Sequence, residues 1–283
     1  TLPLLALGDG RRVGDQAARL NARPSLGRGR GPPSHDPVRQ RVGAAAQRDQ
    51  MSVSINTLEL TNGQGLTLSG VAVSYGKPVV NIVFFGGNGQ TISKSAKILH
   101  HFGKIPANIL WVDYQGMGSS ERAKKITIKN LKADAIQVFD YAKEIFSNDL
   151  PVVVHGLSMG SLVASYVADE REIDGLVLDG AINSVPEVMD NMIPVWSKFF
   201  TTVNMDPELA AVDNGILIEQ YKGPLLLLVG NQDRTTPVAF SQQLYRLSPS
   251  ENKDLVVVEG ASHGNTMKFP QTVERYKTFI KSL

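Results

Sequence analysis

From Met51 onward the chain alternates between two spacings of apolar residues. Leu58–Leu60 and Leu66–Val73 read as short strands separated by Asn62-Gly63, a hairpin signal. Val79–Phe85 is a β-rich run ending at Gly86-Gly87, Ser93–Phe102 reads as a helix, and Ile109–Val112 predicts the next strand. Between Asn130 and Phe146, Leu131, Ala135, Val138, Phe139, Ala142 and Ile145 form a stripe of helical period. A strand at Leu150–Val154, a helix-compatible stretch at Ser161–Asp169 and a strand at Ile173–Leu178 follow. Leu225–Val229 is a fully apolar strand and Val238–Leu247 a helix. The strand Leu255–Val258 and a terminal helix, Gln271–Leu283, complete the order.

Strands without strict alternation, interleaved with amphipathic helices, indicate a mostly parallel sheet with helices on both faces. Ligands on such sheets bind beyond the carboxyl ends of the strands. The chemistry is therefore expected just after each apolar run.

An apolar fraction of 42% is enough for a full-sized core. The charge distribution says more than the net +2. Residues 1–50 hold nine arginines, no lysine, four aspartates and no glutamate, a balance of +5. The remainder holds 20 basic and 23 acidic residues, a balance of −3, with 15 lysines to 5 arginines. The head is also rich in Gly, Pro and Ala, and beyond Leu4-Leu5-Ala6-Leu7 it has no apolar periodicity, so it is expected to be disordered or loosely attached. A basic nucleic-acid or membrane arm, an organelle transit peptide and a stretch extraneous to the functional protein compete as readings of it. The last is preferred, because foldable sequence begins at Met51. The expected organisation is a head at 1–50 and one domain at 51–283.

No apolar stretch approaches the ~20 residues needed to span a bilayer. Without cysteine, disulfides and thiolate zinc sites are excluded. The acidic, Lys-rich body has no basic stripe of the kind nucleic-acid binding needs. The default expectation is a soluble, cytoplasmic enzyme with a small-molecule substrate.

Residues 156–160 read Gly-Leu-Ser-Met-Gly, directly after an apolar run. This is the G-x-S-x-G pattern of a nucleophile elbow, a tight turn carrying a reactive serine from strand into helix. Five residues alone are weak evidence; the strand before and the helix after give them weight. Serine needs a base to take its proton, and the base needs a third group to orient it. Of five histidines, His35 lies in the head, His100 and His101 end a helix, and His155 is too close along the backbone to curl onto Ser158. His263 remains, in the small-residue loop Glu259–Gly264 past the last strand. Acid candidates at strand ends are Asp113, Asp179 and Asp233. Asp233 completes the chain order Ser…Asp…His, Asp179 is its rival, and Asp113 is expected to organise the turn before Gly116-Met117-Gly118. The oxyanion donors are expected to be the backbone N–H of Met159 and that of Asn88, in the turn Gly86-Gly87-Asn88-Gly89.

A nucleotide reading of those glycines fails. A P-loop ending at Lys94-Ser95 requires glycine at 88 and 93, where Asn88 and Ser93 stand. Dinucleotide fingerprints starting at Gly87 or Gly116 meet Ile92 or Glu121 where their last glycine belongs.

With these segments in place, the chain from about Ser54 to Leu283 resembles the α/β-hydrolase superfamily, and within it the compact, small-lid serine hydrolases that include depalmitoylases and bacterial esterases. The resemblance rests on Phe85–Gly89, Asp113–Ser119, His155–Gly160, Leu228–Asp233 and Glu259–His263. Two positions depart from the family: Gly86 stands where histidine is common, and Gln115 where arginine is frequent. The resemblance implies an α/β-hydrolase fold with a short helical lid at about 181–221. There Met189, Met192, Trp196 and Phe199 either pack the segment down or contact substrate. It also implies hydrolysis of carboxylic esters or thioesters through an acyl-enzyme, with no metal or organic cofactor. Peptidase or amidase and cofactor-free haloperoxidase chemistries share the same triad. A non-catalytic binding protein on this fold is the alternative from another class.

Overall fold

The computed structural model describes residues 52–193 and 204–283. The expectations for the head at 1–50, and for Trp196 and Phe199, lie outside the described residues.

Eight strands form one sheet in the order β1-β2-β4-β3-β5-β6-β7-β8. They are β1 (Val53–Thr61), β2 (Thr67–Tyr75), β3 (Val80–Phe85), β4 (Ala107–Val112), β5 (Val152–Leu157), β6 (Gly175–Asp179), β7 (Leu225–Gly230) and β8 (Lys253–Val258). β1 pairs antiparallel with β2, and β2 with β4; every later pairing is parallel. Residues of β3 through β7 are buried along their whole length, which is why these strands carry no alternation.

The helices are α1 (Ile92–Ser95), α2 (Lys97–His101), α3 (Ile128–Ile145), α4 (Met159–Glu170), α5 (Val185–Met192), α6 (Pro207–Ala210), α7 (Asn214–Gln220), α8 (Val238–Leu247) and α9 (Pro270–Lys281). Two apolar clusters sandwich the sheet. On one face Ile82 and Phe84 pack with Leu99 of α2 and with Val273, Tyr276 and Phe279 of α9. On the other, Val83 and Phe85 pack with Val138 and Phe139 of α3, Ala164 and Val167 of α4, and Leu244 of α8. Successive β3 residues thus face opposite layers.

Three local expectations are revised. The expected hairpin forms, β1 pairing antiparallel with β2, but its connection is the longer loop 62–66, in which Asn62 Oδ1 accepts from the N–H groups of Gln64 and Leu66 at 3.0 and 2.9 Å and Gly65 takes φ +77°. The helix expected over Ser93–Phe102 is split at Ala96, where Leu99 N–H bonds back three residues to the Ala96 carbonyl. In the interval 181–221, α7 sits against α4 and α8 and buries Ile218, so it belongs to the covering layer rather than to a lid. The ends of the insertion are tied together there: Asn214 N–H donates to Asn183 O at 2.6 Å and Asn214 Nδ2 to Ile182 O at 3.0 Å. Among the described residues no helix is long and apolar enough to cross a membrane.

Candidate active site

The elbow follows from close approach of β5, α4 and β3. A Cβ at Gly156 would stand 2.2 Å from Gly160 O, and one at Gly160 would stand 2.0 Å from Phe85 O. Only glycine fits either position. Between them Ser158 has φ 55° and ψ −118°, and it is the one non-glycine residue with positive φ among those described. Such a conformation costs of order 1–3 kcal/mol and persists only where the surroundings impose it. Here the Ser158 N–H is pinned to Asp179 O at 2.9 Å.

Ser158 Oγ lies 2.9 Å from His263 Nε2, and His263 Nδ1 lies 2.8 Å from Asp233 Oδ2. Asp233 is held in turn by the loop opening α8. Its Oδ1 accepts from the N–H groups of Thr235 and Thr236 at 2.9 and 2.8 Å, and its Oδ2 from the Thr236 hydroxyl at 2.8 Å. Burial pushes the Asp233 carboxyl up, but the bonds from His263 and Thr236 outweigh it and hold the group below the ordinary carboxylate value. The Thr236 contribution was missed in the sequence, although Asp-x-x-Thr before a proline and an apolar helix is the kind of pattern that signals a capping turn.

Asp179, the rival acid, stands at the end of the adjacent strand but does not reach His263. Its Oδ2 accepts from Thr266 Oγ1 at 2.6 Å, while its Oδ1 is buried without a partner among the described residues. Burial raises its carboxyl to about 7; the Thr266 bond and nearby His263 pull it down, and neighbouring Asp233 pushes it up. Asp113 accepts from the Ile92 N–H at 2.9 Å and from the Ser119 backbone, so it joins the start of α1 to the turn after β4. His155 is a packed histidine. Its ring stacks on Tyr276 at 5.6 Å, its Nδ1 is 3.2 Å from the Tyr276 hydroxyl, and burial lowers it to about 3.

The turn after β3 offers a donor. Gly87 N–H is taken by Gln90 Oε1 at 2.7 Å, whereas the Asn88 N–H enters no hydrogen bond among the described residues. Met159 opens α4, so its N–H has no intrahelical acceptor. Asn88, Ser158 and Met159 line one cavity of about 160 Å³.

Its other walls are almost wholly apolar. α3 contributes Ile128 and Leu131, α4 contributes Leu162, Val163 and Tyr166, and α5 contributes Val185, Val188 and Met192. Met192 lines the cavity, whereas Met189 is not among the lining residues. Met189, four residues after Val185 and about 40° from it around the helix, shares that side of α5 and is half-buried without lining the cavity. The α3 and α4 contributions were missed because their apolar spacing reads as ordinary core packing. The signal was α4 itself, apolar on more than one face.

Gln115, at the second departure, is fully buried and away from the cavity lining. Its Nε2 donates to Asp134 Oδ2 at 2.8 Å, and Asn62 Nδ2 donates to Asp134 Oδ1 at 2.9 Å. Two neutral amides therefore hold a carboxylate on the helix that forms one cavity wall. Burial raises that carboxyl to about 6 against the lowering effect of the two amides. Among the described residues no group of three or more His, Asp or Glu side chains is arranged to hold a metal ion.

Comparison with known proteins agrees with this architecture. The model of the serine aminopeptidase S33 family of hydrolases matches residues 76–214. Human protein ABHD12B is 25% identical over 227 residues, covering 74% of this chain and 62% of its own length. Human α/β-hydrolase domain-containing protein 17B is 26% identical over 202 residues, covering 70% of this chain and 65% of its own. The chain therefore spans a little under two thirds of either human relative. The Pyrococcus furiosus esterase Pf2001 superposes with a TM-score of 0.66 at 19% identity, covering 82% of this chain and 91% of the esterase. These likenesses show that the chain has the α/β-hydrolase fold.

Proposed function

We propose that the protein is a serine hydrolase of carboxylic esters or thioesters, working through an acyl-enzyme. The observation that carries this reading is the unbroken hydrogen-bond chain from Ser158 Oγ through His263 to Asp233, with the serine held at positive φ. In this reading Ser158 Oγ attacks the substrate carbonyl carbon as His263 Nε2 takes its proton, and Asp233 fixes the ring and stabilises the imidazolium. The Met159 and Asn88 N–H groups receive the oxyanion. Collapse breaks the bond to the alcohol or thiol, which leaves with the proton from His263. Water then attacks the acyl-enzyme by the same route and frees Ser158.

The matched family's description makes an aminopeptidase the second reading. An aminopeptidase must hold a substrate's α-ammonium group, and the described cavity wall contains no carboxylate. An apolar acyl chain suits it better. A tagged fluorophosphonate is expected to label the wild type and leave Ser158→Ala unlabelled, with turnover of p-nitrophenyl hexanoate lost in that variant. Equal labelling of both proteins would remove Ser158 as the nucleophile. Faster turnover of aminoacyl anilides than of hexanoyl esters would favour the peptidase.

A further inference from the structure

One side of the cavity opening is formed by a strongly basic segment, which supplies Ile128, Leu131 and Lys132 to the lining. Residues 122–132 contain Arg122, Lys124, Lys125, Lys129 and Lys132 and no acid, while the other residues from 51 onward hold 15 basic and 23 acidic ones. All five cations are exposed, and among the described residues none is in an ion pair. Helix stability does not account for them. Lys129 and Lys132 lie near the start of α3, where the peptide dipoles favour acidic side chains and the first turn has none. Nor is the cluster remote from the chemistry. Lys132 lines the cavity that holds Ser158, with its Nζ 4.4 Å from the ring centroid of Tyr166, another wall residue. The ring fixes a cation at the edge of apolar surface. The helices α5 and α6 that complete the wall carry Glu187, Asp190 and Glu208 instead, so the two sides of the opening differ in charge.

We propose that the substrate joins an apolar acyl chain to a leaving group bearing phosphate, with the phosphate bound on the Arg122–Lys132 rim. The inference rests on the acyl-enzyme reading above. Five cations along eleven residues match a group with two or more negative charges better than a single carboxylate. The chain enters the cavity, the carbonyl lies at Ser158, and the alcohol or thiol runs out over the start of α3. A carrier thioester and a phospholipid headgroup share this chemistry.

The test compares hexanoyl substrates in pairs. Hexanoyl-CoA is set against a neutral hexanoyl thioester, and hexanoyl glycerophosphate against monohexanoylglycerol, each with the wild type and with Lys124→Gln/Lys125→Gln/Lys129→Gln. The phosphate-bearing member of at least one pair is expected to show roughly tenfold higher kcat/KM at low salt. That ratio is expected to shrink in 0.5 M NaCl and in the triple variant, mainly through KM. A preference confined to the CoA pair identifies a carrier thioester, and one confined to the glycerol pair a lipid headgroup. Ratios near one in both pairs, with Ser158 still labelled by fluorophosphonate, would overturn this inference alone. No labelling and no hydrolysis would overturn it together with the acyl-enzyme reading.

Discussion

Asp179 accepts a 2.6 Å hydrogen bond from Thr266, three residues beyond His263, and this bond turns its carboxylate away from the imidazole. Two acids thus stand at the ends of adjacent strands beside one histidine. Asp233 bonds the ring, and Asp179 ties down the segment that follows it. If Asp233 orients His263, Asp233→Asn is expected to stay folded and lose on the order of 10⁴-fold in kcat. Asp179→Asn is expected to lose less than tenfold. The reverse ranking, measured on hexanoyl ester with circular dichroism as a control for folding, would transfer the role to Asp179.

Asp179 also sets a pH-dependent penalty. Its carboxyl is raised in the folded state to about 7, so the folded protein holds a proton that the unfolded chain has released. The stability it contributes is complete below about pH 4 and is lost as pH rises through about 7. Asparagine cannot ionise, so Asp179→Asn should become progressively more stable than the wild type between pH 5 and pH 8. Urea melts at several pH values read this directly, and a pH-independent difference would argue against a charged, buried Asp179.

The strain at Ser158 gives a prediction independent of turnover. Ser158→Ala keeps a Cβ at φ 55°, whereas Ser158→Gly removes it. Both variants are inactive in the proposed mechanism, yet the glycine form should be more stable than the alanine form by about 1 kcal/mol. Paired thermal melts of the two decide it. Equal stabilities would mean that the elbow is not strained.

Asp134 rests on neutral donors alone. Gln115→Met keeps the side-chain volume and removes the 2.8 Å bond, so the raised carboxyl of Asp134 should rise further. As with Asp179, stability from a raised acid is present at low pH and lost as pH climbs past about 6. The variant should therefore cost about 1.5–3 kcal/mol at pH 8, as for a hydrogen bond to a charged group, and less at pH 5. A cost that is the same at both values would show that Asp134 does not titrate between them.

Much of this was legible in the sequence because parallel strands bury both faces. β3, β5 and β7 are mostly apolar and buried on both faces, and Gly86, Ser158 and Asp233 each follow one of them closely. The geometry that brings Ser158, Asp233 and His263 within hydrogen-bond distance is a property of strand ends, which the run lengths mark. Side-chain allegiance was less visible. Asp179 and Asp233 look alike in sequence, and they are distinguished by the partners that hold them, Thr266 for the one and Thr235 and Thr236 for the other. The cavity wall was hidden for a related reason. Leu131, Leu162 and Val188 obey the same periodicity whether they face a core or an opening, and Met189 shares the helical spacing of Val185 and Met192 without lining the cavity.

That wall sets the last expectation. A dry apolar cavity of about 150 Å³ holds benzene, so about 160 Å³ here admits a chain of about six carbons. Each methylene taken from water into it contributes about 0.8 kcal/mol, roughly fourfold in kcat/KM if the contact is made in the transition state. From acetyl to hexanoyl esters kcat/KM should therefore climb by about that factor per carbon and level off beyond. Val188 lies on the lining face of α5, so Val188→Phe fills part of the space. The plateau should then move to shorter chains, with hexanoyl turnover falling at least tenfold relative to acetyl. Steady-state kinetics across the chain-length series check both points. An unchanged profile in Val188→Phe would place the acyl chain elsewhere, whatever the fate of Ser158.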